Sequence, residues 1–137
     1  MRSSLTRRRF FGTCSASIAA LVVPRRITWA QSPGQHPTPR PGITGASVLT
    51  KEQLADTPKL VPLFDSVRQI PEVVDGIRCQ CGCANPPTYY SLLSCYEGDA
   101  MAKHCPLCQG QGNLVVRLHK EGKSLDQIRA AIDAKFG

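Results

Sequence analysis

Apolar positions along this chain repeat at helical spacing, and nowhere does a run of any length alternate as a strand would. Leu60, Val61, Phe64, Val67 and Ile70 fall close to a 3.6-residue period and predict one buried helical face. Thr57-Pro58 supplies an N-cap and a first helical residue, while Pro62 predicts a late start or a kink. Ile70-Pro71 closes that helix and opens a short one over Pro71–Asp75, with Gly76 as its stop. Tyr89 to Glu97 reads as a short helix carrying Leu92, Leu93, Cys95 and Tyr96, and Gly98 interrupts it. A further helix starts at Cys105-Pro106, faces Leu114, Val115 and Leu118 inward, and stops at Gly122. Ser124 with Gln127 forms a capping box, and Leu125, Ile128, Ala131, Ile132 and Phe136 make the stripe of a terminal helix. Thr50 with Gln53 predicts one more helical turn over 51–56. The expected class is all-α: a small cysteine-rich helical domain behind a disordered signal and linker.

Charge changes the picture before that domain begins. The chain has 137 residues and a formal charge of +7, but residues 1–30 hold six arginines and no acid. From Gln31 onward, eleven Lys/Arg face ten Asp/Glu, a net of +1, so the remainder has no general attraction for polyanions and nucleic acid is excluded as a partner. Thr6-Arg7-Arg8-Arg9-Phe10-Phe11 fits the twin-arginine pattern, and the weakly apolar stretch from Gly12 to Val23 follows it. That stretch is twelve residues long, whereas crossing ~30 Å of hydrocarbon takes about 20, so no stable membrane span is expected in the mature form. Thr28-Trp29-Ala30 offers a cleavage position before Gln31, and Cys14 leaves with the leader. The expected organisation is a twin-arginine signal over 1–30, a Pro/Gly-rich linker over 31–46 with His36 solvated, and a six-cysteine helical domain over 47–137. The expected location is the periplasm or the extracytoplasmic face. Twin-arginine passengers fold before crossing, in a reducing cytosol where structural disulfides are rare, and a six-thiol domain folds most readily there around a metal.

Six of the seven cysteines lie between Cys79 and Cys108. A domain of this size buries only a modest apolar core, so cross-links or an ion add useful stability. Cys79, Cys81 and Cys83 stand two residues apart, and a disulfide between such neighbours closes a small strained ring. Each therefore needs partners elsewhere: among Cys95, Cys105 and Cys108, or a shared ion. Disulfides across the two groups reduce the ~15 pairings of six cysteines to about six. If an ion is held, all six (Cys79, Cys81, Cys83, Cys95, Cys105 and Cys108) are candidate ligands, and thiolates select Zn²⁺ or Cu(I). Six exceed one tetrahedral site, so two metals, a copper–thiolate cluster, or one zinc with a spare pair would use them. Cys105-Pro106-Leu107-Cys108 also has the layout of a redox dithiol at a helix start, with Cys105 as attacking thiolate and Cys108 as resolving thiol. His104 is expected to touch water, His119 to lie on the surface, and Met101, Tyr89 and Tyr90 to pack. No paired carboxylates, phosphate-cradling loop or nucleophile–base set is present, which argues against a hydrolase or transferase. The protein partner and the oligomeric state are not legible.

From Pro71 to Gly137 the chain resembles the bacterial exported proteins named for a PCYCGC motif. Pro71-Glu72-Val73-Val74-Asp75, the cysteine triplet, Ser91-Leu92-Leu93-Ser94-Cys95-Tyr96, Cys105-x-x-Cys108, His119-Lys120-Glu121-Gly122-Lys123-Ser124, Ile128-Arg129 and Ile132-Asp133 carry the resemblance. Here the motif reads Arg78-Cys79-Gln80-Cys81-Gly82-Cys83: its proline and tyrosine are replaced and every cysteine is kept. The resemblance implies the architecture and no reaction. A second, weaker likeness is to the thiol reductant module of cytochrome c maturation, through Cys105-Pro106-Leu107-Cys108-Gln109, Gly122-Lys123-Ser124, Ile128 and Phe136-Gly137. It implies thiol–disulfide exchange. The exported, non-enzymatic thiolate metal protein is the leading expectation. The redox dithiol and an inert disulfide-stapled module are its alternatives.

Overall fold

The structure, a computed structural model, describes residues 35–82 and 89–137. The leader with Cys14 and Ala30, and the segment from Cys83 through Pro86-Pro87, lie outside the described residues. The described residues hold four α-helices and no strand: α1 (Val61–Gln69), α2 (Pro71–Asp75), α3 (Pro106–Lys120) and α4 (Leu125–Phe136). Three single 3₁₀ turns, Pro58–Leu60, Leu93–Tyr96 and Met101–Lys103, link them, and one isolated antiparallel bridge joins Val48 to Glu97. The all-α class is therefore as expected. No described helix is long and apolar enough to cross a membrane.

Proline and glycine set most boundaries. Pro58 opens only a 3₁₀ turn, and α1 starts late, at Val61, with Pro62 in its first turn where no amide partner is lost. Ile70 leaves the helical region before Pro71 (φ −128°, ψ 47°), as the proline ring favours, and separates α1 from α2. After α3, Gly122 takes φ +77°. Its amide donates to the His119 carbonyl at 2.9 Å, and the Lys123 amide to that of Leu118 at 3.0 Å. This is a Schellman stop, which a residue with a Cβ resists. The Ser124 hydroxyl accepts from the Gln127 amide at 3.3 Å, and the Gln127 side chain from the Ser124 amide at 2.9 Å, completing the capping box of α4.

Residues 51–56 hold the expected single turn: the Leu54 amide donates to the Thr50 carbonyl at 3.0 Å, and the Thr50 amide to the Gln53 side chain at 2.9 Å. One local expectation is corrected. Tyr89 to Glu97 is helical only over Leu93–Tyr96. The Leu92 amide donates to the Ile77 carbonyl at 2.7 Å and the Ser91 hydroxyl to Asp75 at 2.6 Å, so the start of that segment is tied to α2 and its exit.

α3 lies centrally, packed on α1, α2, α4 and the Met101–Lys103 turn. Phe64 of α1 meets Tyr96 edge-on with ring centroids 4.9 Å apart, and both are fully buried. The Tyr96 hydroxyl donates to the Cys108 carbonyl at 2.7 Å, in the first turn of α3.

The proline-rich stretch differs most from expectation. From His36 onward it packs against the domain as a strap. Arg129 donates to the Pro37 carbonyl at 2.7 Å and to the Gly76 carbonyl at 2.9 Å. Tyr90 donates to the Thr38 carbonyl at 2.5 Å. Arg40 grips the fully buried Asp75, its backbone amide at 2.8 Å and its guanidinium at 2.7 Å. A buried carboxylate loses several kcal/mol of hydration, and Arg40 with Ser91 supplies the compensating donors. Prolines that cannot donate still accept, which is why this stretch can be strapped without regular structure.

Gly112 passes so close to Tyr96 that a Cβ there would stand 2.0 Å from the phenol oxygen. Gly112→Ala should therefore lower the urea unfolding free energy by about 1–3 kcal/mol, the usual range for overpacking. An unchanged midpoint would mean that Tyr96 can move aside.

Candidate metal centre

The site begins where α2 ends. Ile77, fully buried, carries the chain inward, and Arg78-Cys79-Gln80-Cys81 follows as an irregular segment closed by Gly82 at φ +79°. Opposite it, Cys105 is the N-cap of α3 and Cys108 lies in that helix's first turn. The Cys108 amide donates to the Cys105 sulfur at 3.4 Å. Cys95, on the Leu93–Tyr96 turn, is also fully buried.

These segments bring their sulfurs together. Cys79 Sγ lies 3.1 Å from Cys81 Sγ and 3.6 Å from Cys108 Sγ, and Cys108 and Cys81 are 3.6 Å apart. All three fall within 4.8 Å of one another, close enough to hold a single metal ion. Four sulfurs on an ion at ~2.3 Å stand about 3.8 Å apart, so the 3.6 Å separations are near coordination spacing. Cys95 is buried in the same core cluster, and the Cys105 sulfur accepts the Cys108 amide. Three of the six predicted sulfurs thus meet at one locus, and Cys83 lies outside the described residues.

Cys79, Cys95, Cys105 and Cys108 are free thiols, while Cys81 is disulfide-bonded, though to none of these four. The expected alternative of three disulfides across the two cysteine groups is therefore not formed. Burial and hydrogen bonding distribute charge unequally among the free sulfurs. Hydrogen bonds from Cys108 and Cys95 bring Cys79 down to about 3. For Cys95, the bond to Cys108 pulls downward, but the bond to Cys79, burial and the nearby negative charge outweigh it and push the thiol up to about 12. Cys108 is raised by its bonds to Cys79 and Cys95, then by burial. Burial and the mutual hydrogen bonding of these sulfurs are the causes common to all three directions.

Gln111 of α3 completes the shell and went unnoticed in the sequence. It is fully buried, accepts the Gln80 amide at 2.9 Å, and donates to the Leu107 carbonyl at 3.3 Å and the Cys79 sulfur at 3.7 Å. A signal was available: Gln111 shares a helical face with Cys108 and Val115, where a polar side chain is out of place. His104 and His119 are exposed, as expected, and Met101 is half-buried. His36, expected in solvent, instead accepts the Arg78 amide at 3.0 Å and pairs with Asp133 at 3.0 Å.

Exposure separates the free thiols. Cys105 is half-buried, whereas Cys79, Cys95 and Cys108 are sealed. Brief iodoacetamide treatment of the folded, metal-free protein should therefore label Cys105 first, and the other three only on unfolding, as mapped by peptide mass spectrometry. Cys79 or Cys108 labelling as fast as Cys105 would contradict the sealed cluster. Compared with known proteins, the chain matches no protein-family model, no curated protein and no solved structure.

Proposed function

We propose that this is an exported, non-enzymatic thiolate protein of the cell envelope that binds Zn²⁺ or Cu(I) through its cysteine cluster. The observation that carries the reading is the meeting of Cys79, Cys81 and Cys108 within 4.8 Å, with the Cys105 sulfur accepting the Cys108 amide beside them. The donor set is all sulfur, which favours soft ions. Cys79, Cys95, Cys105 and Cys108 are free thiols and so equal in number the ligands of a four-thiolate site, and Cys81 joins them only in its reduced form. Cys83, next in the triplet, completes the six candidate ligands. An ion would also relieve the conflict among the thiols, since coordination lets Cys95 and Cys108 ionise beside Cys79. Export by the twin-arginine route to the periplasm or extracytoplasmic face rests on Arg7-Arg8-Arg9-Phe10-Phe11, and the resemblance to the PCYCGC proteins is in keeping with it.

A thiol–disulfide role is the second reading. Cys105, the accessible free thiol, caps α3 beside Cys108, as in the dithiol of the cytochrome c maturation reductant. Metal analysis separates the two. Protein purified anaerobically under reducing conditions should carry zinc or copper in stoichiometric amount. Adding the ion to metal-free protein at a hundredfold excess over Kd should raise unfolding stability by about 2.7 kcal/mol. Cys108→Ser should weaken binding beyond the roughly 10–100-fold typical of an outer-shell change. Protein that takes up neither ion, yet cycles Cys105 and Cys108 between dithiol and disulfide, would replace the metal reading with the redox one.

A further inference from the structure

Cys79 is held at both flanks by side chains from distant parts of the chain. The amide of Arg78, just before it, donates to His36 Nδ1 at 3.0 Å, and the amide of Gln80, just after it, donates to Gln111 Oε1 at 2.9 Å. Gln111 belongs to α3, the helix that carries Cys108. His36 belongs to the strap, 43 positions before Cys79. Because Nδ1 accepts from Arg78, the ring proton sits on Nε2 and is donated to Asp133 Oδ1 at 3.0 Å. The same carboxylate oxygen accepts from the Gln80 side chain at 2.9 Å. His36 and Asp133 thus reach both neighbours of Cys79, one through its backbone and one through its side chain.

The ring is built into the fold. Only 10% of the His36 side chain is exposed, against 52% for Asp133. The carbonyl of Pro37, the next residue, is fixed by Arg129, and Thr38 is fixed by Tyr90. A loop held in this way before an ion arrives loses less freedom on binding than a slack one. Histidine also suits the task chemically: one ring nitrogen accepts a backbone N–H while the other donates to a carboxylate in a different direction.

We propose that His36 is a positioning residue for the thiolate site: with Asp133 it presets the Arg78–Cys81 segment so that Cys79 faces Cys108 and Cys95 before any ion is bound. Its effect on metal affinity rests on the metal reading above, whereas the presetting itself does not. Two measurements on the full protein keep these apart. In metal-free protein, His36→Ala should speed hydrogen exchange at the Arg78 amide roughly tenfold or more, while amides in the middle of α3 stay protected. His36→Asn places an acceptor where Nδ1 stood and should restore much of that protection. In the second measurement, Co²⁺ is titrated as the spectroscopic probe under reducing, anaerobic conditions. His36→Ala should weaken Co²⁺ binding about 10-fold or more and alter the visible bands that report tetrahedral thiolate coordination. Tyr90→Phe, which removes a different anchor of the strap, should leave affinity and bands as in the parent.

Unchanged exchange at Arg78 in His36→Ala would overturn the proposal, as would Tyr90→Phe reproducing both effects. Parent-like Co²⁺ affinity and bands in His36→Ala would overturn the positioning of the site. If the parent protein itself takes up no Co²⁺, Zn²⁺ or Cu(I), the metal reading falls, and the exchange result alone decides the clamp.

Discussion

Everything around the site depends on burying several thiols against one another. A thiol is a small, nearly apolar group when protonated, so Cys79, Cys95 and Cys108 can serve as core residues beside Leu93 and Tyr96 at little cost. The cost arises when they ionise. At the 3.6 Å separation of Cys79 and Cys108 in a dry interior, a second thiolate beside the first is strongly disfavoured. The opposite shifts of Cys79 and its two neighbours express that constraint. Buried as neutral thiols these groups pack well, and Cys79, Cys81 and Cys108 stand close enough together to hold a positive ion.

Cys108 joins the two halves of this arrangement. Its sulfur meets the Cys79–Cys81 segment, its amide caps onto Cys105, and its carbonyl receives the Tyr96 hydroxyl. Through Tyr96 and Phe64 the first turn of α3 is linked to α1, so packing in the aromatic core and alignment of the sulfurs are one problem. The need for glycine at Gly112 follows from it, because Tyr96 can reach Cys108 only if the facing turn of α3 has no side chain in its path.

The parts of the fold legible in the sequence are those fixed by local chemistry. Pro71, Pro106, Gly122 and the Ser124/Gln127 box act within a few residues, and α2, α3 and α4 fall where they direct. The Tyr89–Glu97 expectation failed because its limits are set by distant groups: Ser91 answers to Asp75 and Leu92 to Ile77. The strap failed for the same reason on a larger scale. Its prolines do exclude helix and strand, but the inference from there to a solvated linker omits the carbonyls of Pro37 and Thr38, which accept from Arg129 and Tyr90. In the site, the meeting of the Cys79–Cys81 segment with Cys108 was legible from cysteine spacing, and Gln111 from its place on the face of Cys108 and Val115. His36 and Asp133 were not, since a hydrogen bond spanning 97 positions leaves no periodic mark.

Access is the last element of the design. His36 of the strap and Gln111 of α3 hold the Arg78–Cys81 segment from its two flanks, while Ile77 and Leu92 are fully buried in the core. Among the described residues, the free thiol that reaches solvent is Cys105, and Leu107 beside it is the one large apolar side chain left exposed, at 49%. The N-terminal edge of α3 is thus one open rim of the sulfur cluster, and the half-buried Cys81 lies on another. With a soft ion held there, Cys105 would be the free thiol within reach of an incoming donor, and ligand exchange would begin at that edge while Cys79, Cys95 and Cys108 stay covered.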